Sequence, residues 1–395
     1  MLVGIVGKPN VGKSTFFSAL TMSTAQVASY PFTTIEANRG VGHVRGPCPH
    51  TALGSSCSPN NSLCEGGTRF VPIELLDVAG LVPDAHSGKG LGNKFLDDLR
   101  QAHAFIHVVD ASGGTDFEGN PVGAGSHDPA LDVSFLEREI SYWIFGILGK
   151  DFNKIARQSK LAGKKFERLL QEKLTGLSIT EAQILSAIKQ SGNDNDPSLW
   201  KDDELLSFCQ VLQKVSKPMI IAANKADIAP PENMRKLEET GYPVVPTSAE
   251  FELALRRAAK GGLVAYTPGA SSFDMPEESK LNESQRKALD KMADWLKGAG
   301  STGVQPVLEK VVFDVLDLII VYPVEDETKW MDKQGRILPD AYLMPRGSNA
   351  RDLAFKVHTD LGDNFIRAID GRTHMAVGHD HILKENDVVK IVARV

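Results

Sequence analysis

The chain has 395 residues, of which 42% are hydrophobic and 24% are charged, and its formal net charge at pH 7 is −6. This composition is ordinary for a globular protein, and the acidic balance excludes nucleic-acid binding through overall charge. Four cysteines are too few for a disulfide scaffold, and the apolar runs are too short to span a bilayer. The first predicted strand begins at Leu2, so we expect no signal peptide. We therefore expect a cytoplasmic protein of two or three domains, as a monomer and without membrane contact.

A glycine-rich loop lies near the start of the sequence. Residues 1–6 form an apolar run that predicts a buried parallel strand, and residues 15–20 can open a helix. Between them, residues 7–14 fit the pattern G-x-x-x-x-G-K-S, in which glycines let backbone N–H groups turn onto phosphate oxygens at a helix N-terminus. This predicts a nucleoside triphosphate site. Its expected binding residues are Gly7, Lys8, Pro9, Asn10, Val11, Gly12, Lys13, Ser14 and Thr15.

Two side chains of this loop have expected roles of their own. Lys13 would reach the β- and γ-phosphates, and the Ser14 hydroxyl would bind Mg²⁺. Further along the chain, residues 74–80 predict a strand that ends in D-x-x-G. Asp77 would then hold Mg²⁺ through water, and the backbone N–H of Gly80 would contact the γ-phosphate.

The segment Y-P-F-T-T-I at residues 30–35 offers hydroxyl groups for a first switch element. We expect Thr34 to be a Mg²⁺ ligand that takes part in catalysis, and Thr33 is the alternative. Threonines in loops also form turns, so this assignment depends on the nucleotide-binding motifs elsewhere in the sequence.

Three cysteines and a histidine are concentrated between these two segments, as Cys48, His50, Cys57 and Cys64. Such a set can satisfy tetrahedral Zn²⁺. The spacing C-x-H-x₆-C-x₆-C contains no C-x-x-C pair, however, and residues 47–67 are rich in Ser, Asn, Gly and Pro. An ordinary polar loop with free thiols is the preferred interpretation, and a zinc site is the alternative.

The middle of the chain contains more residues than one helix and two strands require. Residues 104–110 and 218–223 read as consecutive core strands, and residues 130–210 between them show apolar side chains at helical spacing. Thr180 stands before E-A-Q-I as an expected helix start. We predict a helical insertion over residues 130–210.

The tetrad N-K-A-D follows the predicted strand at residues 218–223 and indicates a guanine reader. The Asp227 carboxylate can accept hydrogen bonds from guanine N1–H and N2–H₂, whereas adenine has neither donor, so a buried carboxylate would stay unpaired. Asn224 would tie this loop to the phosphate loop, and the stem of Lys225 would lie over the base. Thr247, Ser248 and Ala249 resemble a weaker fifth motif, whose backbone would support guanine O6. The sequence therefore favours GTP over ATP.

The residue after Gly80 is Leu81, where Ras-type GTPases place a glutamine that orients the attacking water. Leucine cannot hydrogen-bond water, so another group must position it. Asn10 is similar to an asparagine that holds K⁺ beside the phosphates in several translation-associated GTPases, where the cation supports developing charge. The alternative is that Asn10 only stabilises the loop turn.

The C-terminal third changes from helical to strand-like patterns. Residues 319–324, 341–344 and 388–392 are strand-like, and residues 349–357 read as a capped helix. This arrangement resembles a TGS domain, a small ubiquitin-like β-grasp module. The resemblance implies contact with RNA or the ribosome, for which five basic side chains could provide one face: Arg346, Arg351, Lys356, Arg367 and Arg372. A merely solvated surface is the alternative.

Taken with its motifs, the chain resembles the YchF branch of Obg-related GTPases. This resemblance implies an α/β P-loop GTPase domain with a helical insertion, followed by the TGS domain. It also implies a ribosome or RNA partner, reached through the TGS domain and the insertion. Well-known YchF proteins have an altered fourth motif and prefer ATP, whereas N-K-A-D is intact here, so the chain looks more like an archaeal-type relative that retained GTP. The residues that carry the resemblance are 7–15, 30–36, 77–82, 88–96 and 100–103.

The sequence therefore predicts a G domain over residues 1–305, which contains the insertion, and a TGS domain over residues 306–395. The expected activity is slow, Mg²⁺-dependent hydrolysis of GTP to GDP and phosphate as a molecular switch. One alternative is a YchF-like ATPase. Another is a nucleotide-gated RNA- or ribosome-binding module with little hydrolysis of its own.

Overall fold

The computed structural model describes residues 1–22, 38–78, 98–193, 196–276 and 281–394. It divides into two compact units, and neither is one continuous stretch of chain. The first unit comprises Met1–Met22, Asn38–Gly40 and Glu74–Val307, and the second contains Val41–Ile73 and Leu308–Val395. The division after Val307 lies close to the domain boundary expected at residue 305. Residues 41–73, which we expect from the sequence to belong to the G domain, cluster in the structure with the C-terminal residues.

Parallel strands form the centre of the first unit. The strands predicted at residues 1–6, 104–110 and 218–223 are present. The order in the seven-stranded sheet is β2-β4-β1-β5-β6-β7, with β3 beside β4. Strand β3 and most residues of β2 and β4 belong to the second unit. The strands are β1 (Leu2–Val6), β2 (Arg39–Pro47), β3 (Leu63–Glu65), β4 (Thr68–Asp77), β5 (Ala104–Asp110), β6 (Met219–Asn224) and β7 (Val244–Pro246).

Helices pack on this sheet, and the five described helices between Pro129 and Ser216 cover the predicted helical region of residues 130–210. The last helix, Val304–Lys310, contains the division between the two units. An apolar core continues from β1 and β5 into the helices that follow β5. Thr180 begins one of them with a reciprocal capping box to Gln183, which confirms the predicted start. The helices are α1 (Lys13–Thr21), α2 (Pro129–Leu148), α3 (Phe152–Ala162), α4 (Phe166–Leu174), α5 (Glu181–Gln190), α6 (Asp202–Ser216), α7 (Pro231–Glu238), α8 (Ala249–Lys260), α9 (Glu283–Ala299) and α10 (Val304–Lys310).

The second unit contains a five-stranded sheet of order β11-β10-β12-β8-β9. Its central pair, β12 and β8, is parallel, and the flanking pairs are antiparallel. Helix α11 packs on the sheet, and Asn349 caps its N-terminus as predicted. The elements are β8 (Leu318–Val324), β9 (Tyr342–Pro345), α11 (Ala350–Val357), α12 (Thr359–Asp363), β10 (Phe365–Asp370), β11 (Ala376–Val377) and β12 (Asp387–Ala393).

Within the described parts of the chain, no helix combines the length and the apolar composition needed to cross a bilayer.

Candidate nucleotide-binding site

The carboxyl ends of the parallel strands bring the predicted motifs to one edge of the sheet. Ile5 of β1 is in register with Asp77 of β4, and Asp110 of β5 is in register with Asn224 of β6. The glycine-rich loop follows β1 directly. In open α/β sheets this edge is where ligands bind, so the sheet itself assembles the candidate site.

Two glycines allow the loop to pass close to the neighbouring backbone and side chains. A Cβ atom at Gly7 would lie 2.5 Å from the carbonyl oxygen of Val108. At Gly12, where φ is +90°, a Cβ atom would lie 2.4 Å from Nδ2 of Asn224. Any larger residue would therefore displace the loop from β5 and β6. Helix α1 then begins at Lys13, so its N-terminal N–H groups are available for phosphate oxygens.

Lys13 and Asp77 form an ion pair at the mouth of the loop. Both side chains are mostly buried, yet each keeps some exposure to solvent. Ser14, the next residue of α1, is exposed. The Lys13 ammonium group therefore contacts the Asp77 carboxylate at the sheet edge, and the Ser14 hydroxyl belongs to the next residue of the chain. These are the groups that bind phosphate and a hard, oxygen-seeking cation.

Lys8, the other lysine of the loop, points away from this mouth. Its Nζ lies 2.8 Å from Oδ2 of Asp132 and donates to the Thr115 carbonyl oxygen at 2.9 Å, and the side chain is buried. His127 approaches the same carboxylate at 2.8 Å. Lys8 was expected among the nucleotide-binding residues, but this ion pair leaves only its backbone available for that purpose. No sequence motif indicates this pairing, because the partners are more than 100 residues apart.

The buried ion pair also affects a histidine in the adjacent strand. His107 of β5 is fully buried, and this burial, together with the positive charge of Lys8, lowers the pKa of His107 to about 3. Burial raises the pKa of Asp132, while Lys8 and His127 act in the opposite direction. His107 is therefore neutral near pH 7.

Asn224 connects the glycine-rich loop with the N-K-A-D loop and the fifth motif. Its Nδ2 donates to the Val11 carbonyl oxygen at 2.8 Å, and its Oδ1 accepts from the backbone N–H of Ala249 at 3.0 Å. Ser248 is buried just before α8. Three loops that are distant in sequence thus depend on one amide side chain.

Lys225 has a left-handed backbone conformation with φ of +59°, and its side chain lies across the glycine-rich loop. Its Nζ donates to the Asn10 carbonyl oxygen at 3.0 Å and pairs with Oδ2 of Asp110 at 2.8 Å. Asp110 also accepts from the hydroxyl groups of Ser112 and Thr115. The lysine stem is thereby fixed beside the site.

Asp227 lies in a short 3₁₀ turn at Ala226–Ile228, and its side chain is 14% exposed. Its Oδ2 is 3.4 Å from Nζ of Lys291 in α9. The backbone N–H of Ala226 donates to Thr247, which joins this turn to the fifth motif. The carboxylate is accessible for a ligand that offers N–H donors.

Asn10 has φ of +63°, and its Nδ2 donates to the carbonyl oxygen of Gly119 at 2.9 Å. Gly119 belongs to the segment 111–127, which follows β5 and also supplies the Thr115 contact to Lys8. We did not single out this segment from the sequence. Its signal was the glycine-rich run A-S-G-G-T directly after a buried strand.

Four of the residues assigned to the switch elements lie outside the described residues. They are Thr33, Thr34, Gly80 and Leu81.

Comparison with known proteins places these motifs in a family. Residues 2–129 match the model of a 50S ribosome-binding GTPase, residues 222–326 match the G4 motif-containing domain of Obg-like, YGR210-like GTPases, and residues 333–393 match a TGS domain. A GTP-binding protein of Methanocaldococcus jannaschii is 52% identical over 99% of both chains. The ribosome-binding ATPase YchF of Haemophilus ducreyi is 35% identical over 92% of this chain and 86% of its own. The chain belongs to the Obg-related, YchF-type family.

Solved structures of this family agree with the fold. A GTP-binding protein from Pyrococcus horikoshii is 44% identical, covers both chains fully and has a TM-score of 0.78. The YchF GTPase of Schizosaccharomyces pombe, at 19% identity, has a TM-score of 0.58 over 99% of this chain and 97% of its own. The predicted YchF resemblance and the predicted fold class, a P-loop GTPase domain with a helical region and a C-terminal TGS domain, are confirmed.

Proposed function

We propose that this protein is a Mg²⁺-dependent GTPase that works as a molecular switch in association with the ribosome. The observation that carries the proposal is the double hydrogen bond of Asn224, which joins the phosphate loop to the loop that bears Asp227. A nucleotide whose phosphates bind the glycine-rich loop would therefore place its base beside Asp227. The expected products are GDP and phosphate, formed at a low intrinsic rate.

The choice of GTP rests on Asp227. A carboxylate accepts two hydrogen bonds, and guanine offers two donors on N1 and N2, whereas adenine offers neither there. Lys291 is near this carboxylate but largely exposed, so water can solvate its charge when a base takes its place. Several relatives are named ATPases, and the intact N-K-A-D motif favours GTP over that alternative.

The Asp227→Asn variant tests this assignment by exchanging an acceptor for a donor. Xanthine carries a carbonyl oxygen where guanine carries N2–H₂, so it complements an amide at residue 227. We expect weaker GTP binding and stronger xanthosine triphosphate binding in the variant. An equal loss of affinity for both nucleotides would contradict guanine reading by Asp227. Asp294→Asn, an exposed change in α9, is the control and should alter neither affinity.

The residues at the mouth of the loop fit Mg²⁺, because the exposed Ser14 hydroxyl and the Asp77 carboxylate are oxygen ligands near the phosphate loop. Ser14 would bind Mg²⁺ directly and Asp77 through water. Lys13, now paired with Asp77, would turn to the β- and γ-phosphates. Thr34 as a further ligand and Gly80 as a γ-phosphate contact remain predictions. Bound Mg²⁺ would neutralise charge on the phosphates during hydrolysis.

Asn10 supports a second feature, K⁺-assisted hydrolysis. Gly119 fixes the Nδ2 end of its amide, and Oδ1 makes no hydrogen bond to any described residue. The oxygen could therefore bind a monovalent cation where charge develops. GTP hydrolysis should be faster in KCl than in NaCl, and Asn10→Ala should remove the difference. Equal rates in the two salts would leave Asn10 as a turn residue only.

Ribosome association is drawn from the names of the YchF relatives and from the TGS match. Lys356 and Arg367 of that domain are exposed and available for an RNA surface. A double variant with Lys356→Glu and Arg367→Glu should co-sediment less with ribosomes as a full-length protein. The control variant Lys297→Glu in α9 should co-sediment as the wild type does. Unchanged co-sedimentation would exclude this face and leave the helical insertion as the remaining candidate contact.

A further inference from the structure

A cluster of metal-binding side chains lies in the second unit, in the part of the chain between the glycine-rich loop and Asp77. Cys48, His50, Cys57 and Cys64 each offer one ligand atom, and these four atoms lie within 4.8 Å of one another. Sγ of Cys48 is 3.8 Å from Sγ of Cys57, and Sγ of Cys64 is 3.6 Å from Nδ1 of His50. The polar loop expected from the sequence therefore gathers its sulfur and nitrogen atoms at one point.

The Cys48–Cys57 and Cys64–His50 separations match those of a tetrahedral metal site. With zinc–sulfur bonds of about 2.3 Å and zinc–nitrogen bonds of about 2.0–2.1 Å, tetrahedral angles require sulfurs about 3.8 Å apart and a sulfur–nitrogen distance of about 3.5 Å. A disulfide would instead require sulfurs about 2.05 Å apart. All four cysteines of the chain are free.

The charge of the surroundings also suits a metal–thiolate centre. Arg69 is fully buried, and its guanidinium lies 3.9 Å from Sγ of Cys48 and 3.6 Å from Sγ of Cys57. Its remaining hydrogen bonds go to Ser62 and to the carbonyl oxygens of Leu338 and Pro339, and no described carboxylate pairs with it. A buried positive charge without an anion is costly. Zinc with three thiolates and one neutral imidazole carries a net charge of −1, which would balance Arg69.

We propose that Cys48, His50, Cys57 and Cys64 bind one structural Zn²⁺ ion. Four protein ligands fill the tetrahedral coordination and leave no open position, so the ion would serve structure rather than catalysis. Three thiolates select zinc over the hard cations that bind at a phosphate site.

The proposed ion would stabilise a loop that packs against the TGS sequence within the same unit. The backbone N–H of Ser58 donates to the Ile337 carbonyl oxygen at 2.8 Å. Asn61 exchanges two hydrogen bonds with the backbone of Ala341, at 2.9 and 3.0 Å. Little regular structure holds the residues between Cys48 and Cys64, and a metal crosslink would supply that order.

Elemental analysis of the full-length protein, expressed in zinc-supplemented medium and purified without a chelator or a histidine tag, tests the proposal. We expect one zinc per chain in the wild type and in Cys209→Ala, which removes the buried cysteine of α6. Cys64→Ser should lose the zinc. Cobalt exchanged into the wild type should give the thiolate charge-transfer and tetrahedral absorption bands of a sulfur-rich site.

Since Cys64→Ser could unfold, the wild-type measurements decide the outcome by themselves. Three results for the wild-type protein would overturn the proposal: no bound zinc, a Cys48–Cys57 disulfide, or iron bound instead of zinc. So would a cobalt spectrum typical of six oxygen ligands. Nucleotide binding can fail or persist independently of these results.

Discussion

The side chain of Asn224 donates a 2.8 Å hydrogen bond to the carbonyl oxygen of Val11, so the N-K-A-D motif directly supports the phosphate loop. The amide is buried, and its oxygen is used by Ala249. A buried amide whose nitrogen and oxygen are both hydrogen-bonded has one preferred orientation, and removing it would leave two backbone groups unpaired. The nucleotide loops are therefore coupled before any ligand binds.

Asn224→Ala should weaken nucleotide binding by roughly tenfold to a hundredfold, because the phosphate loop loses its support, which corresponds to about 1.4–2.8 kcal/mol. Asn233→Ala is the matched control, since Asn233 is also buried and donates to a backbone carbonyl, that of Ala111. Both variants should lose about 1–3 kcal/mol of unfolding free energy. Titration with a fluorescent guanine nucleotide should separate them, and equal affinities would count against the coupling.

The two lysines of the loop should behave differently when each is changed to Met. Lys13→Met should lose nucleotide affinity by about a hundredfold with little loss of stability, because its partner Asp77 can still be solvated. Lys8→Met should cost about 3–5 kcal/mol, because it leaves Asp132 buried without its cation. Urea denaturation and nucleotide titration of both proteins provide the check. A Lys8 variant of normal stability would refute the structural role.

The loop at Gly119 should be sensitive to a single methyl group. A Cβ atom at Gly119 would lie 2.6 Å from the Pro9 carbonyl oxygen, whereas one at Gly125 would have nothing nearer than 3.9 Å. Both glycines have positive φ, +85° and +78°, so alanine costs each about 1–2 kcal/mol of backbone strain. Only Gly119→Ala should also slow GTP hydrolysis, through displacement of the phosphate loop. Equal rates in the two variants would show that this contact has no influence on the site.

Stability should fall below neutral pH through His107. The pKa of His107 is about 3 in the folded protein and about 6.5 when the chain is unfolded, so between these values only the unfolded state binds the proton. The unfolding free energy should therefore drop by about 2 kcal/mol from pH 7 to pH 5 through this group. His107→Leu should show a shallower decline in urea titrations across this range. Parallel declines in both proteins would assign the effect to other groups.

The sequence predicted what depends on neighbouring residues. The strand, glycine-rich loop and helix of residues 1–20 follow from a contiguous pattern, as do the capped helices after Thr180 and Asn349. The YchF-type fold was recognisable for the same reason, since its motifs are short and ordered along the chain.

Features that depend on tertiary contact could not be predicted. Lys8 looked like a phosphate ligand until the fold brought Asp132 to it from 124 residues away. Similarly, the composition of residues 47–67 indicates only a polar loop. The three cysteines of this loop meet His50 because of the way in which β2, β3 and β4 pair. Spacing in sequence carries no information about such distances.

A competition measurement decides whether the coupled loops of Asn224 and Asp227 bind guanine nucleotides. A fluorescent GTP analogue is bound to the wild-type protein in the presence of Mg²⁺ and displaced by unlabelled GTP or ATP. We predict displacement by GTP at concentrations at least about a hundredfold lower than by ATP, a difference of about 2.7 kcal/mol. Displacement by ATP at an equal or lower concentration would contradict it.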